Sequence, residues 1–240
     1  MDSHAATVEA GLHHRDPELH NQFDTLEQQK DTAHLGMWVF LITEIMFFGG
    51  LFGAYLVYRN LYYPAFVAGS NSISIFWGTL NTAVLICSSL TMAMAVHSAA
   101  IGARKLLVGF LSLTLLLGLI FLAIKGKEYY DKWTEHHVPG ANFHFDDPER
   151  PGEAPVPADV ASQTSIYFSL YFAMTGMHAL HMIIGVGILL ALIWKASRGS
   201  FPPHHYTMVE NFGLYWHFVD IIWIFLFPLL YLISRTPAMH

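Results

Sequence analysis

Cysteine is nearly missing from this 240-residue chain: Cys87 stands alone. One thiol excludes an internal disulfide and any Cys-x-x-Cys metal or redox site. No Cys-x-x-Cys-His occurs, which excludes a covalently attached c-type haem. Charge is also scarce. Asp, Glu, Lys and Arg make up 12% of the residues, against roughly 25% in an ordinary soluble domain. The hydrophobic share is 54%, so the chain reads as a membrane protein. The net charge of −6 argues against a nucleic-acid partner. Residues 1–33 lack an apolar core segment and carry seven acidic side chains against two basic ones. They read as a soluble, poorly ordered tail rather than a signal peptide. Its histidines, His4, His13, His14 and His20, are spaced irregularly, and a metal role for them rests on composition alone.

Long apolar runs fill the remainder. A membrane span needs about 20 mainly apolar residues. Five stretches qualify, near His34–Tyr58, Ile73–His97, Leu106–Ile124, Ile166–Trp194 and Phe212–Ile233. The expected fold is all-α, an integral membrane bundle of five transmembrane helices over residues 34–240. No internal repeat is evident, which speaks against a small proton-coupled transporter. The joint at 125–165 is unusually long and rich in proline, acids and histidine. It reads as a solvated extramembrane connector, or as a docking surface for a neighbouring subunit or a basic electron carrier. Lys and Arg are shared equally between the two sets of joints, so charge alone leaves the orientation open.

Polar residues at membrane depth are costly, about 2.5–3.5 kcal/mol for a charge at a helix centre on insertion scales. Glu44 lies about 15 Å into the first span at 1.5 Å per residue. It reads either as a proton-exchanging or partner-binding carboxyl, or as a neutral acid bonded to the next helix. Gly49 and Gly53 form a G-x-x-x-G that allows close helix approach. Asn81, Thr82, Ser88, Ser89 and Thr91 make the second span a candidate for interhelical hydrogen bonding. His178 and His181 sit one turn apart on the fourth span. His217 and Asp220 do so on the fifth, where they could pair at i, i+3. Glu210 shares roughly one face with His217. These histidines read as haem or copper ligands or as buried, hydrogen-bonded residues. Pro228 interrupts the last span, which a membrane helix tolerates.

Five blocks carry a family resemblance. They are "HLGMWVFLITEIMFFGGLFGAYLVY", "LNTAVLICSSLTMAMAVHSA", "IKGKEYYDKW", "GMHALHMIIG" and "VENFGLYWHFVDIIWIFLFPLLYLI". In this order they resemble successive segments of subunit III of the haem–copper respiratory oxidases, in its five-helix bacterial form. The resemblance implies an accessory subunit of a proton-pumping cytochrome c oxidase in the aerobic electron transport chain. It implies subunits I and II as partners, with cytochrome c near the complex. Haem and copper would lie in those partners and no cofactor in this chain. The copper electron-entry site of that enzyme class needs two cysteines, which this chain lacks. Support of proton uptake and of subunit I stability is implied, as is bound phospholipid. The family's embedded glutamate maps onto Glu44, and lipid contacts map onto Lys195 and His205. A bacterial plasma-membrane location follows, with the N-terminus cytoplasmic, the C-terminus periplasmic and the long loop outside. Longer family members carry two further spans that form one wall of the lipid cleft. Alternatives are subunit III of a quinol oxidase, a nitric-oxide-reductase-associated homologue, and a b-type membrane cytochrome.

Overall fold

The computed structural model describes residues 22–135, 137–140, 143, 145, 158–199 and 206–233. Six helices are described: α1 Leu26–Leu61, α2 Tyr63–Asn71, α3 Ile75–Ala100, α4 Arg104–Thr134, α5 Ala158–Ser197 and α6 Thr207–Tyr231. All but α2 are long and apolar enough to cross a membrane. The expected five-helix bundle is therefore present. His205, the four tail histidines and most of the Pro-rich joint lie outside the described residues.

The helices overrun the apolar stretches. α1 starts at Leu26 because Thr25 caps it. The Thr25 side chain accepts from Gln28 N at 3.1 Å. The Gln28 side chain reaches back to Asp24 N at 3.0 Å. Ser/Thr-x-x-Glu/Gln is the signature of such a start, and Thr25–Leu–Glu–Gln28 carries it openly. At 36 residues, α1 is about 54 Å long, beyond the ~40–45 Å of a whole bilayer. α4 likewise continues through Lys125 to Thr134, so the first part of the long joint is helix. α2 occupies the joint read as Arg59–Ser72.

α6 is the central helix. In its most apolar 18-residue window 56% of residues are buried, against 11% for α1. α6 packs on α3, α5 and α1, and α4 closes the bundle against α3 and α5. Most of the polar stripe of α3 faces these neighbours. Trp223 and Trp216 indoles donate to Thr82 and Ser88 at 3.1 and 2.9 Å. Thr91 bonds Thr114 of α4 at 2.8 Å. Asn81 is buried, yet both atoms of its amide lack a partner among the described residues.

Helix ends in lipid must find donors for their last carbonyls. The helix runs through Pro228 to Tyr231. There the Leu229 and Leu230 carbonyls accept from the Tyr55 and Tyr167 hydroxyls, on α1 and α5. At the opposite end of the bundle the Arg104 guanidinium donates to Ala196 and Ser197 carbonyls of α5. Gly102 and Gly199 adopt φ of 70° and 77° just beyond α3 and α5, a region that favours glycine.

The close helix contacts are not at the G-x-x-x-G. A Cβ added at Gly49 or Gly53 would meet nothing within 4 Å. A Cβ at Gly185 would sit 2.9 Å from the buried Trp216 ring. Gly185→Ala is therefore expected to cost about 1–3 kcal/mol. Gly49→Ala and Gly53→Ala should be neutral or stabilising by up to about 1 kcal/mol, through helix propensity. Thermal unfolding in mild detergent would compare them. Equal losses at all three positions would contradict the packing described.

Candidate functional site

A cleft of about 1030 Å³ opens between α1, α5 and α6. Its walls are apolar, with Met37, Phe40, Phe47, Leu180, Ile184 and Ile188 among them. Lys30 and Lys195 line one end and Glu44 and His181 line it deeper. Lys30 precedes Glu44 by fourteen residues on α1, and Lys195 follows His181 by fourteen on α5. Each interval is about 21 Å of helix. That is about half of a ~40–45 Å bilayer. If the acid lies at mid-membrane, both ammonium groups lie at headgroup level.

Glu44 Oε2 lies 3.1 Å from His181 Nε2. The other imidazole nitrogen, Nδ1, lies 2.8 Å from the Met177 carbonyl. A carbonyl only accepts, so Nδ1 carries a hydrogen and donates. Nε2 then has two options. In a neutral ring it accepts from a protonated Glu44. In a charged ring it donates to the carboxylate. In each option one proton lies between Nε2 and Oε2. The Tyr215 hydroxyl donates to the His181 carbonyl at 2.8 Å and fixes the α5–α6 register beside it. The neighbour of Glu44 comes from α5, the fourth span, and the contact with His181 is compatible with either reading of the acid.

The other polar candidates do not form one network with this pair. His178 is buried between the Phe121 and Trp223 rings, with neither ring nitrogen bonded among the described residues. Glu210 is partly exposed near the start of α6 and stands 3.8 Å from His34 of α1. His217 turns its Nδ1 to Ser89 of α3 at 2.7 Å, not to Asp220. Asp220 is buried, and neither carboxyl oxygen has a hydrogen-bond partner among the described residues. Ser89 neighbours it as well, and its hydroxyl can accept from His217 Nδ1 while turning its own hydrogen toward the carboxyl. The i, i+3 pair does not form; His217 meets Ser89 of α3 across the helix interface instead. Lys195 reaches the Met208 sulfur at 3.8 Å on the cleft wall. Among the described residues no three His, Cys, Asp or Glu side chains converge as a metal site.

A second polar centre was absent from the sequence reading. Lys125 is 2% exposed. Its ammonium donates to Glu128 at 3.1 Å, to the Tyr171 hydroxyl at 3.1 Å and to the Tyr231 hydroxyl at 3.0 Å. Both hydroxyls donate in turn to Glu128 Oε1 at 2.6 Å. All three ammonium hydrogens are thus used, and a neutral amine would have only two. The Trp223, Tyr171, Tyr129 and Tyr231 rings surround the cation with centroids at 5.0–5.7 Å. The signal in the sequence was Lys125 and Glu128 at i, i+3 followed by Tyr129, a helical spacing inside a segment read as loop.

The sequence matches the family profile described as Cytochrome c oxidase subunit III over residues 19–145 and 156–235. The chain belongs to the cytochrome c oxidase subunit III family. A cytochrome c oxidase subunit 3 of Thermostichus vulcanus is 31% identical over 217 residues, 88% of this chain and 92% of that protein. The subunit 3 of Gallus gallus is 33% identical over 205 residues, covering 82% of this chain and 67% of that protein. That of Pelomedusa subrufa is 32% identical over 210 residues, with 84% and 70% covered. The subunit III alignment thus takes in nearly all of the Thermostichus protein and leaves a larger part of each animal protein outside. With its five apolar helices, this subunit III is a multi-pass membrane protein.

Proposed function

We propose that this chain is the accessory, non-redox subunit of a proton-pumping cytochrome c oxidase in the aerobic electron transport chain. It stands beside catalytic subunit I, supports that subunit's stability and proton uptake, and holds phospholipid. Haem and copper belong to subunits I and II, and cytochrome c delivers electrons nearby. The membrane is a bacterial plasma membrane, with the N-terminus in the cytoplasm and the C-terminus in the periplasm. The relatives named above are cytochrome c oxidase subunits, which favours this donor over quinol. The membrane-cytochrome alternative needs paired histidines facing one haem. His178, His181 and His217 instead meet aromatic rings, Glu44 and Ser89 respectively.

The cleft carries the reading. An apolar trough with two lysines at headgroup level and a one-proton pair at its depth fits the proposed lipid and proton roles together. The lysine ammonium groups would bind the lipid phosphate and the apolar walls its chains. Lipid seated there would exclude water from Glu44 and His181 and keep their proton exchange local. Co-purification of the tagged chain in mild detergent tests the assignment. Haem a absorbance arriving with subunits I and II supports it. Haem that stays after those partners are stripped away overturns it.

The lipid role has its own test. Lys30→Ala with Lys195→Ala should remove about 2 kcal/mol of headgroup attraction, at roughly 1 kcal/mol per basic residue near an anionic surface. That corresponds to about a thirtyfold loss of retained phospholipid affinity. Lipid extraction and mass spectrometry of the purified complex would read it. Unchanged lipid content would remove the lysines from the site.

A further inference from the structure

A phospholipid held at the mouth of the cleft leaves the polar group at its floor unmatched. Glu44 lies about 21 Å of helix below Lys30. The polar part of a lipid ends where the hydrocarbon core begins, about 15 Å from mid-membrane. Only acyl chain from that lipid reaches Glu44, and acyl chains neither donate nor accept. The acid is nevertheless open to the cleft. Glu44 lines it, and its side chain is 19% exposed. Oε2 is the oxygen against His181 Nε2. Oε1 carries no hydrogen in either placement of the proton between them. It is the carbonyl oxygen of a neutral acid or one half of a carboxylate, and it can only accept. Aromatic rings flank it. Phe40 and Phe47 lie about one turn before and after Glu44 on α1, and both line the cleft with Tyr215 of α6. The Phe40 and Tyr215 ring centroids stand 6.0 Å apart. The Tyr215 hydroxyl is taken by the His181 carbonyl. An apolar pocket with aromatic walls and few polar groups suits a small organic ligand.

We propose that the floor of the cleft binds the ring of a prenyl hydroquinone, a membrane quinol, through a hydroxyl hydrogen donated to Glu44 Oε1. Charged heads, such as those of phospholipids and fatty acids, stay at the surface because water solvates them. A hydroquinone is uncharged, so its ring can follow its tail to mid-membrane. The ring lies against Phe40 and Phe47, and the tail runs past Leu180, Ile184 and Ile188 of α5. The oxidised quinone offers only acceptors to an acceptor oxygen, so the site takes the reduced form and rejects the oxidised one. No electron moves at the site. The ring is a ligand, and it covers the Glu44–His181 contact when the membrane pool is reduced. The inference adds a second ligand to the cleft of the accessory subunit and rests on that reading.

Two redox-inert probes, para-farnesylphenol and its methyl ether, test the donor requirement on the purified complex. They share shape and tail and differ by one hydroxyl hydrogen. The phenol should bind about tenfold more tightly than the ether, the worth of one hydrogen bond in an apolar site. Glu44→Leu should erase that preference. Glu44→Gln should keep it, because its amide oxygen stands where Oε1 stood while its N–H faces His181. If Glu44→Leu does not assemble, Phe47→Ala at an exposed wall position decides, and should weaken both probes about fivefold. Equal binding of phenol and ether by wild type overturns the site. So does a preference that survives Glu44→Leu, or binding untouched by Phe47→Ala. Failure of either probe to bind a complex that retains subunits I and II overturns the site and leaves the accessory role standing. Absence of any co-purifying oxidase subunit overturns both.

Discussion

Lys125→Met should destabilise the folded chain by about 3–5 kcal/mol, the cost of leaving one member of a buried ion pair alone. The methionine fills much of the space but offers no hydrogen. Glu128, only 10% exposed, then keeps two tyrosine donors and loses its counter-charge. Three helices feel the change, since Lys125 and Glu128 sit on α4, Tyr171 on α5 and Tyr231 on α6. Lys125→Met with Glu128→Gln should recover most of the loss. The amide oxygen still accepts from Tyr171 and Tyr231, and no charge remains buried. We expect the double variant within about 1 kcal/mol of wild type, because a buried pair is worth little net against its own desolvation. Glu128→Leu should be worse than Glu128→Gln, as it leaves both tyrosine hydroxyl hydrogens without their acceptor and one ammonium hydrogen unmet. Thermal or denaturant unfolding in a single detergent would rank the four variants against wild type. A Lys125→Met protein as stable as wild type would mean that water reaches this cage.

Lys125 also shows what the sequence conceals. A span was recognised by its apolar run, so a lysine at the run's edge was assigned to the joint. The helical hydrogen-bond ladder does not stop where hydropathy falls. Lys125 and Lys132 are one heptad apart on α4, and both turn inward. Lys132 finds the Ser72 carbonyl and Glu135, as Lys125 finds its tyrosines. Ser72, Tyr171 and Tyr231 come from more than forty residues away, and only the fold supplies them. The start of α1 is local cap chemistry written in Thr25–Gln28, yet a reading by apolarity alone begins the span near His34 and misses it.

The existence and number of the five spans followed from length and apolarity alone, and the structure has them. Which glycines pack did not. The G-x-x-x-G at Gly49 and Gly53 is a pattern within one helix, whereas packing depends on the helix opposite. Gly78, Gly185 and Gly213 lie against Tyr231, Trp216 and Val96, and no spacing rule marks them. The candidate site was half legible. Depth singled out Glu44 and family likeness supported it. His181 was visible as a polar residue on the fourth span, but its pairing with Glu44 depends on the rotation of α5 against α1. The likeness also marked Lys195, whereas Lys30 was hidden by the placement of residues 1–33 in a tail.

Glu44→Gln and Glu44→Leu separate the two readings of that acid. Glutamine can donate its amide N–H to His181 Nε2 and so keeps the 3.1 Å contact in the cleft wall. It has no proton to exchange. Leucine removes both the contact and the proton. Stability should therefore divide the variants. Glu44→Gln should stay within about 1 kcal/mol of wild type, while Glu44→Leu should lose about 1–3 kcal/mol through the orphaned ring nitrogen. Function should not divide them if the shared proton matters. In the assembled oxidase, both variants should then slow proton uptake, or shorten the lifetime during turnover, on the order of tenfold. That is less than the ~10²–10⁴-fold of an acid or base at the reacting atoms, as befits a group feeding a neighbouring subunit. Electron transfer should be largely intact in both, because the accessory-subunit proposal assigns haem and copper to subunits I and II. Should Glu44→Gln match wild type in uptake and lifetime while Glu44→Leu fails, the pair is a structural tie between α1 and α5. The proton role would then fall.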